Sequence, residues 1–216
     1  MALFGTTAYD RTRILSAAVK ARRRGRRKKA IELYRRVLDV EPENVDLLRK
    51  VAALHAESGQ SDEAWGAYRR AVDGIAAKGF LERSIGVLRE AAAYLPRQIE
   101  VWQRLADLEL QRSRPADAHR VLLEGRRHFR AGRDIREAIL LLLRARRIVP
   151  GHFDTDYDLA RLFARAGARP RAQTILEQLV PHSTRRQLRK LRARQFAISP
   201  SPASGWRWLR ALFGRA

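Results

Sequence analysis

The chain has 216 residues, no cysteine, and 45 lysine and arginine residues against 23 aspartate and glutamate residues, for a formal net charge of +22. The lack of cysteine excludes a disulfide framework and any site that needs a thiolate. With 45% hydrophobic residues the chain can bury a sizeable core, yet no run of 18 apolar residues predicts a membrane span. Because residues 1–11 also lack the pattern of a signal peptide, we expect a cytoplasmic protein.

The first predicted helices follow an amino-terminal tail of residues 1–10 and meet at a basic turn around Gly25. Such a run is either a solvated turn between helices or an anion site for the phosphates of lipid headgroups or RNA. A helix starting within the run favours the second interpretation, because its free N–H groups attract anions. The candidate anion-binding residues are Lys20, Arg22, Arg23, Arg24, Arg26, Arg27, Lys28 and Lys29.

An internal repeat organises the rest of the chain. Pro42, Pro96 and Pro150 are equally spaced, and each follows a segment with helical spacing of its apolar residues. The segments LRKVAAL, WQRLADL and DYDLARL keep the same register, so each unit is predicted to hold three helices. The units are about 11–42, 45–96, 99–150 and 153–198, the first lacking its leading helix. We expect an all-α, right-handed helical solenoid of about ten helices.

These residues resemble the tetratricopeptide repeat family. Trp102, Leu105 and Ala106 match the first part of the family pattern, Ala64 with Tyr68 matches the second, and the prolines match the last. The resemblance covers roughly residues 11–180 and is that of a bacterial-type member, although the 54-residue period is longer than the family's ~34. It implies a protein-interaction scaffold that binds a peptide or a partner helix in a concave groove. By family spacing, the groove residues are Arg49, Lys50, Ala53, Gln103, Arg104, Asp107, Tyr157, Asp158 and Arg161.

The carboxyl end combines a break with a short amphipathic segment. Residues 199–205 (SPSPASG) are predicted to be a linker, and residues 206–216 a basic helix. Three alternatives stay open for that helix: a cap on the solenoid, contact with an anionic membrane surface, or docking in a partner's groove. Its apolar side is formed by Trp206, Trp208, Leu209, Leu212 and Phe213.

Charge is concentrated at the two ends, since residues 1–29 and residues 181–216 each carry +9 and the body between them only +4. We therefore expect a non-catalytic adaptor that binds a protein partner and is tethered by its basic termini to an anionic surface, peripherally at the inner face of the membrane. The alternative is an RNA- or DNA-associated factor that uses both basic regions.

No enzyme, metal site or cofactor is expected. The cluster of His152, Asp154, Asp156 and Asp158 lacks the glycine and glutamate of a calcium loop, and acidic residues at a helix start complement the helix dipole. The sequence identifies neither the partner nor the oligomeric state.

Overall fold

The computed structural model describes residues 10–130 and 132–213, without the side chains of Arg133 and Phe213. In this part of the chain all regular structure is helical, so the predicted all-α fold is confirmed. The α-helices are α1 (Arg11–Arg23), α2 (Arg27–Leu38), α3 (Val45–Glu57), α4 (Ser61–Ala76), α5 (Leu81–Tyr94), α6 (Ile99–Gln111), α7 (Pro115–Arg126), α8 (Ile135–Ile148), α9 (Phe153–Arg165), α10 (Arg169–Leu179), α11 (Arg185–Ile198) and α12 (Pro202–Phe213).

The helices start at the intervals that the sequence repeat predicts. The starts of α2, α5 and α8, at Arg27, Leu81 and Ile135, have the same spacing as the three prolines, and the next two helices of each copy keep that spacing. Each of these three helices ends a few residues before its proline because a proline disfavours the helical conformation of the residue that precedes it. One copy of the sequence repeat therefore consists of three helices.

Two compact units divide the chain, one up to Val101 and one from Trp102 onward. In the first unit, α1 pairs with α2 and α3 pairs with α4, while α5 contacts both α3 and α4. Helices α1, α3 and α5 lie in one row, with α2 and α4 behind them. Tyr34, Tyr68, Leu48 and Leu88 are fully buried between the rows and form the centre of this core.

In the second unit, α7 pairs with α8, α9 with α10, and α11 with α12. Ion pairs show which helices are neighbours within a row: Arg126 of α7 meets Asp158 of α9, whereas Arg144 of α8 meets Asp107 of α6. Helices α7, α9 and α11 therefore form one row, and α6, α8 and α10 the other. Trp102 is buried against Gly125, where a β-carbon would lie 2.6 Å from a ring carbon.

The carboxyl-terminal helices correct two predictions. The described residues contain twelve α-helices rather than about ten, because α11 is a complete helix with a capping box at Thr184 and Gln187. The linker predicted at 199–205 is limited to 199–201, since α12 begins at Pro202. The Ser201 hydroxyl accepts a hydrogen bond from the Ser204 N–H at 3.1 Å. A serine cap followed by proline is a favoured helix start.

Candidate functional site

The first unit contains a small cavity at the predicted groove residues of α3. Arg49, Lys50 and Ala53 line a cavity of about 250 Å³, to which α1 contributes Arg22 and α5 contributes Glu90 and Tyr94. The Arg49 Nε atom donates to Glu90 Oε2 at 2.8 Å. This carboxylate is therefore already neutralised within the fold.

The Tyr68 hydroxyl reaches the same carboxylate from the core, with its oxygen 3.2 Å from Glu90 Oε1. Burial raises the pKa of Tyr68 strongly, and the charge of Glu90 raises it further. The tyrosine thus remains a hydrogen-bond donor at neutral pH and fixes the position of Glu90. The wall of this cavity is held from behind by the core.

The second unit contains a larger and more basic cavity of about 570 Å³ between α7, α8 and α9. Its charged lining carries five arginines against two aspartates, which gives a formal charge of +3. Its apolar lining comes from residues of all three helices and from the buried Phe129. The charged residues are Arg126, Arg127, Arg130, Arg161, Arg165, Asp154 and Asp158, and the apolar ones are Leu123, Phe129, Ile135, Leu142 and Leu162.

Asp158 binds two of these arginines. Arg126 Nε lies 2.9 Å from its Oδ2 atom, and the Arg161 Nε atom donates to Oδ1 at 3.0 Å. The Arg126 side chain is only 11% exposed and the aspartate 25%, so this cluster forms part of the cavity wall. Arg127, Arg130 and Arg165 are exposed at its edge. The fixed pair therefore shapes the site, while the rim offers positive charge to a ligand.

The two cavities occupy equivalent places in the repeat. Arg22 and Arg130 are separated by two sequence repeats, and Asp46 and Asp154 have the same separation. Both pairs line their cavities, as do Ala53 and its equivalent Arg161. The cavity of the second unit is larger and carries more arginine.

The six predicted groove residues of the second unit do not share one surface. Gln103, Arg104 and Asp107 lie on α6, in the row opposite to α9, because Asp107 forms its ion pair with Arg144 of α8. Within α9, Asp158 and Arg161 line the cavity. Tyr157 does not: it stacks on Phe153 with ring centroids 5.8 Å apart, and the guanidinium of Arg194 lies 6.0 Å from its ring. The expectation of one groove lined by all three segments is therefore wrong within the second unit.

Sequence reasoning missed four arginines of the larger cavity, namely Arg126, Arg127, Arg130 and Arg165. A signal was present, because the repeat aligns Arg130 with Arg22, a member of the amino-terminal basic run. Aligning basic residues in the same way as apolar ones would have found this position.

The eight amino-terminal cations are all exposed, but they are divided among several surfaces. Arg22 lines the small cavity, whereas Lys20, Arg23 and Arg24 lie along the free side of α1 beside Leu15 and Val19. Lys28 faces a hollow between α2 and α3, and Arg27 pairs with Glu57 at 3.3 Å. Arg26 and Lys29 are at the start of α2. The turn therefore points its charges in several directions rather than at one phosphate.

The carboxyl-terminal helix α12 packs on α11 through part of its apolar side. Trp208 stacks on Phe196 with centroids 5.7 Å apart, and Leu212 is half-buried. Trp206 is 72% exposed and Leu209 is 40% exposed. The side chain of Phe213 is outside the described part of the chain. The helix thus acts as a cap and still presents apolar side chains to solvent.

Two members of the cluster around His152, the histidine itself and Asp156, have structural roles. The His152 ring nitrogen Nδ1 accepts a hydrogen bond from the Thr155 N–H at 3.3 Å and caps α9. Asp156 is buried against Arg146 at 3.1 Å, and burial raises its pKa. No group of three or more histidine, aspartate or glutamate residues in the described ranges is placed to hold a metal ion. Among the helices of the same ranges, none is long and apolar enough to cross a membrane.

Taken together, the described residues define an α-helical repeat protein built from helix hairpins. No protein-family model and no curated protein matches the sequence.

Similar solved structures include MamA, at 17% identity over 90% of this chain and 92% of that one, with a TM-score of 0.33. PilW, described as a widely conserved type IV pilus biogenesis factor, is 15% identical over 95% and 94% of the two chains, with a TM-score of 0.40. TPR-like repeats of a putative kinesin light chain from Podosopora anserina are 20% identical over 79% and 92%, with a TM-score of 0.38. These TM-scores are below 0.5, and a shared fold does not determine function, which depends on the site.

Proposed function

We propose that the protein is a non-catalytic scaffold that binds an acidic segment of a partner protein in the cavity between α7, α8 and α9. The observation that carries this proposal is the lining of that cavity, in which five arginines and two aspartates surround an apolar floor. An arginine guanidinium matches a carboxylate with two parallel N–H groups, and this fork gives direction as well as charge attraction.

The chemistry of the cavity favours binding over catalysis. Its described lining contains no serine, threonine, histidine or lysine, and of its two carboxylates, which are also potential general bases, Asp158 is held in ion pairs with Arg126 and Arg161. The apolar floor provides room for one hydrophobic side chain of the ligand, and the rim arginines bind neighbouring carboxylates. A partner segment with acidic residues on both sides of a phenylalanine or leucine fits this arrangement.

Fluorescence anisotropy with the full chain tests the proposal. The probe is a short labelled peptide with several glutamates and one phenylalanine, and the same peptide with glutamine in place of glutamate is the reference. Replacing the exposed rim arginines (Arg130→Gln with Arg165→Gln) is expected to weaken binding of the acidic peptide about tenfold or more, because charge-assisted hydrogen bonds are lost.

A matched control has the same change in charge away from the cavity. Arg136 and Arg147 are exposed on α8 and do not line the site, so the variant Arg136→Gln with Arg147→Gln is expected to bind like the wild type. Equal losses in the two variants would mean that only the overall charge attracts the peptide, which contradicts a specific site. Tighter binding of a single-stranded RNA of equal charge, weakened by the rim variant, would favour the nucleic-acid alternative.

The basic termini form a second part of the proposed function, attachment of the scaffold to an anionic surface. It is supported by the concentration of charge, since residues 181–216 contain nine basic residues and no acidic one. Charge of this density attracts the protein to a surface of opposite sign within a Debye length, and the attraction weakens as salt is added. Flotation with anionic and neutral vesicles measures this attachment independently of peptide binding.

A further inference from the structure

The α12 helix has two apolar edges, and only one of them is used within the fold. At about 100° per residue, Trp208 and Leu212 fall within about 40° of each other on the edge that faces α11. Arg189 of α11 fixes the end of the helix, because its guanidinium donates to the carbonyl oxygens of Ala211 and Leu212, each at 3.1 Å. The packed edge and these capping bonds hold α12 in a defined orientation.

The other edge is exposed. Trp206 and Leu209 lie within about 60° of each other on the helix and form an apolar ridge beside Arg210. Trp206 has the largest exposed fraction among the large hydrophobic side chains of the described residues, at 72%. Tryptophan and arginine side by side on an exposed helix are typical of helices that lie in the interface of a membrane.

The surroundings of the ridge are strongly cationic. Residues 181–216, which include α11 and α12, contain no aspartate or glutamate. Arg192 of α11 and Arg207 of α12 are close enough to repel each other. Burial lowers the pKa of Arg192 and the charge of Arg207 lowers it further, while Glu177 of α10 opposes part of this effect. Such crowding is relieved by an anionic partner, which makes this surface complementary to negative charge.

We infer that the Trp206–Leu209 edge of α12 is a docking surface for an anionic lipid bilayer. The ridge lies at the boundary between headgroups and acyl chains, while the neighbouring arginines contact the headgroup phosphates. This inference rests on the proposed attachment to an anionic surface and adds to it the kind of surface and the side chains that contact it.

Two other occupants are disfavoured by charge and shape. Residues 181–216 carry +9 in every copy of the chain. A second copy docking with this end would therefore bring more positive charge to the surface, and the two copies would repel each other. A nucleic acid supplies negative charge, and one base can stack on Trp206. Single-strand binding uses a series of aromatic side chains, however, and next to Trp206 this ridge has Leu209, which offers no such face. An anionic bilayer accepts the tryptophan, the leucine and the arginines together.

The packing of α12 on α11 matters for affinity. An isolated helix of this length is unstable in water, so a free segment would have to order itself on the membrane. Here the contacts of Trp208 and the bonds from Arg189 have already ordered it. The cost of binding is reduced accordingly, and the small ridge gives a reversible, peripheral attachment.

Vesicle flotation of the full chain tests the inference. The vesicles are phosphatidylcholine alone or with about one-third phosphatidylglycerol, whose charge supplies the attraction. The variant Trp206→Ala with Leu209→Ala is expected to bind the anionic vesicles about tenfold or more weakly than the wild type, because both side chains lose their burial in lipid. The variant Arg207→Gln with Arg210→Gln is expected to lose roughly fivefold per arginine.

The control variant, Phe80→Ala with Leu140→Ala, removes side chains that are 59% and 52% exposed elsewhere, and wild-type binding is expected. Circular dichroism checks that each variant is folded, and acidic-peptide binding should be unchanged in the α12 variants.

Three results would overturn the inference in different ways. If the Trp206→Ala and Leu209→Ala variant floats like the wild type while Lys20→Gln, Arg23→Gln and Arg24→Gln together abolish flotation, the attachment is real but belongs to the amino terminus. If no anionic vesicle binds the wild type, both the inference and the proposed attachment fail. Sedimentation that shows a dimer dissolved by the α12 ridge variant would instead assign the ridge to a second copy of the chain.

Discussion

Replacing Gly125 by alanine should destabilise the second unit, although alanine is the better helix former. In α7, a β-carbon at this position would lie 2.6 and 2.8 Å from side-chain carbons of Trp102, and closer still to Cγ of its ring. The tryptophan has little space to move, since it is 3% exposed and stacks on His128 at 5.3 Å. A methyl group must therefore displace either the indole ring or the whole helix.

The change in the free energy of unfolding caused by Gly125→Ala is the sum of two opposing effects. Overpacking a well-packed core costs about 1–3 kcal/mol, and the short distances here place Gly125→Ala at the upper end. The better helix propensity of alanine returns up to about 1 kcal/mol. We expect a net loss of about 2 kcal/mol, which for a chain of this size lowers Tm by about 4–8 °C. Gly86 is the matched control, because it is exposed in α5 with nothing within 4 Å of an added β-carbon.

Urea unfolding followed by far-ultraviolet circular dichroism measures both variants. Gly86→Ala should raise the free energy of unfolding by about 0.5–1 kcal/mol, opposite in sign to Gly125→Ala. A double-mutant cycle isolates the clash: in a Trp102→Ala background the indole is gone, and Gly125→Ala should become neutral or stabilising. If Gly125→Ala is as stable as the wild type, or if its cost persists without the tryptophan, the steric argument is refuted.

Three further predictions concern a cap, an ion pair and a titrating group. Asn44→Ala removes the side chain that caps α3 and should cost about 1 kcal/mol in urea unfolding, a loss that Asn44→Ser should partly recover. Asp158→Ala leaves the Arg126 guanidinium without its partner and should cost about 1–3 kcal/mol in urea unfolding. Asp117→Ala breaks a pair with the exposed Arg120 and should change stability by less than about 0.5 kcal/mol in the same measurement. Because burial raises the pKa of Tyr68 above its ordinary value of 10.0, the folded state keeps a proton that the unfolded chain loses as the pH rises above that value. Stability should therefore fall as the pH rises above about 10, and less steeply in Tyr68→Phe; equal slopes would contradict the assignment.

The sequence was sufficient to predict the helices and the intervals between them. Apolar residues at helical intervals and a proline after every third helix mark each copy, and the helix starts in the structure follow the interval of the prolines. It was less informative at the carboxyl end, where SPSPASG has the composition of a linker. In the structure this segment contains the start of α12, which Ser201 caps. The helix is stabilised by the stacking of Trp208 on Phe196 of α11, and this contact cannot be deduced from local composition.

The sequence also could not show which row each helix occupies, and the reason lies in the number of helices per repeat. Hairpins place successive helices in alternate rows, so a repeat of three helices moves each sequence position to the other row in the next copy. In the first unit, α1 lies in the row of α3, whereas α4, the sequence equivalent of α1, lies in the row behind them. In the second unit, α9 lines the cavity, whereas α6, the sequence equivalent of α9, does not.

An ion pair links helices of one row in each case. Arg49 of α3 pairs with Glu90 of α5, and Asp107 of α6 pairs with Arg144 of α8. These are equivalent positions of the repeat, and the basic and acidic partners have exchanged places. The apolar core lies between the two rows, so an apolar side chain can reach it from a helix of either row. Apolar positions can therefore recur in every copy. The two equivalent cavities are separated by two repeats, in agreement with the alternation of rows. A binding surface in such a protein must therefore be sought with twice the period of its core.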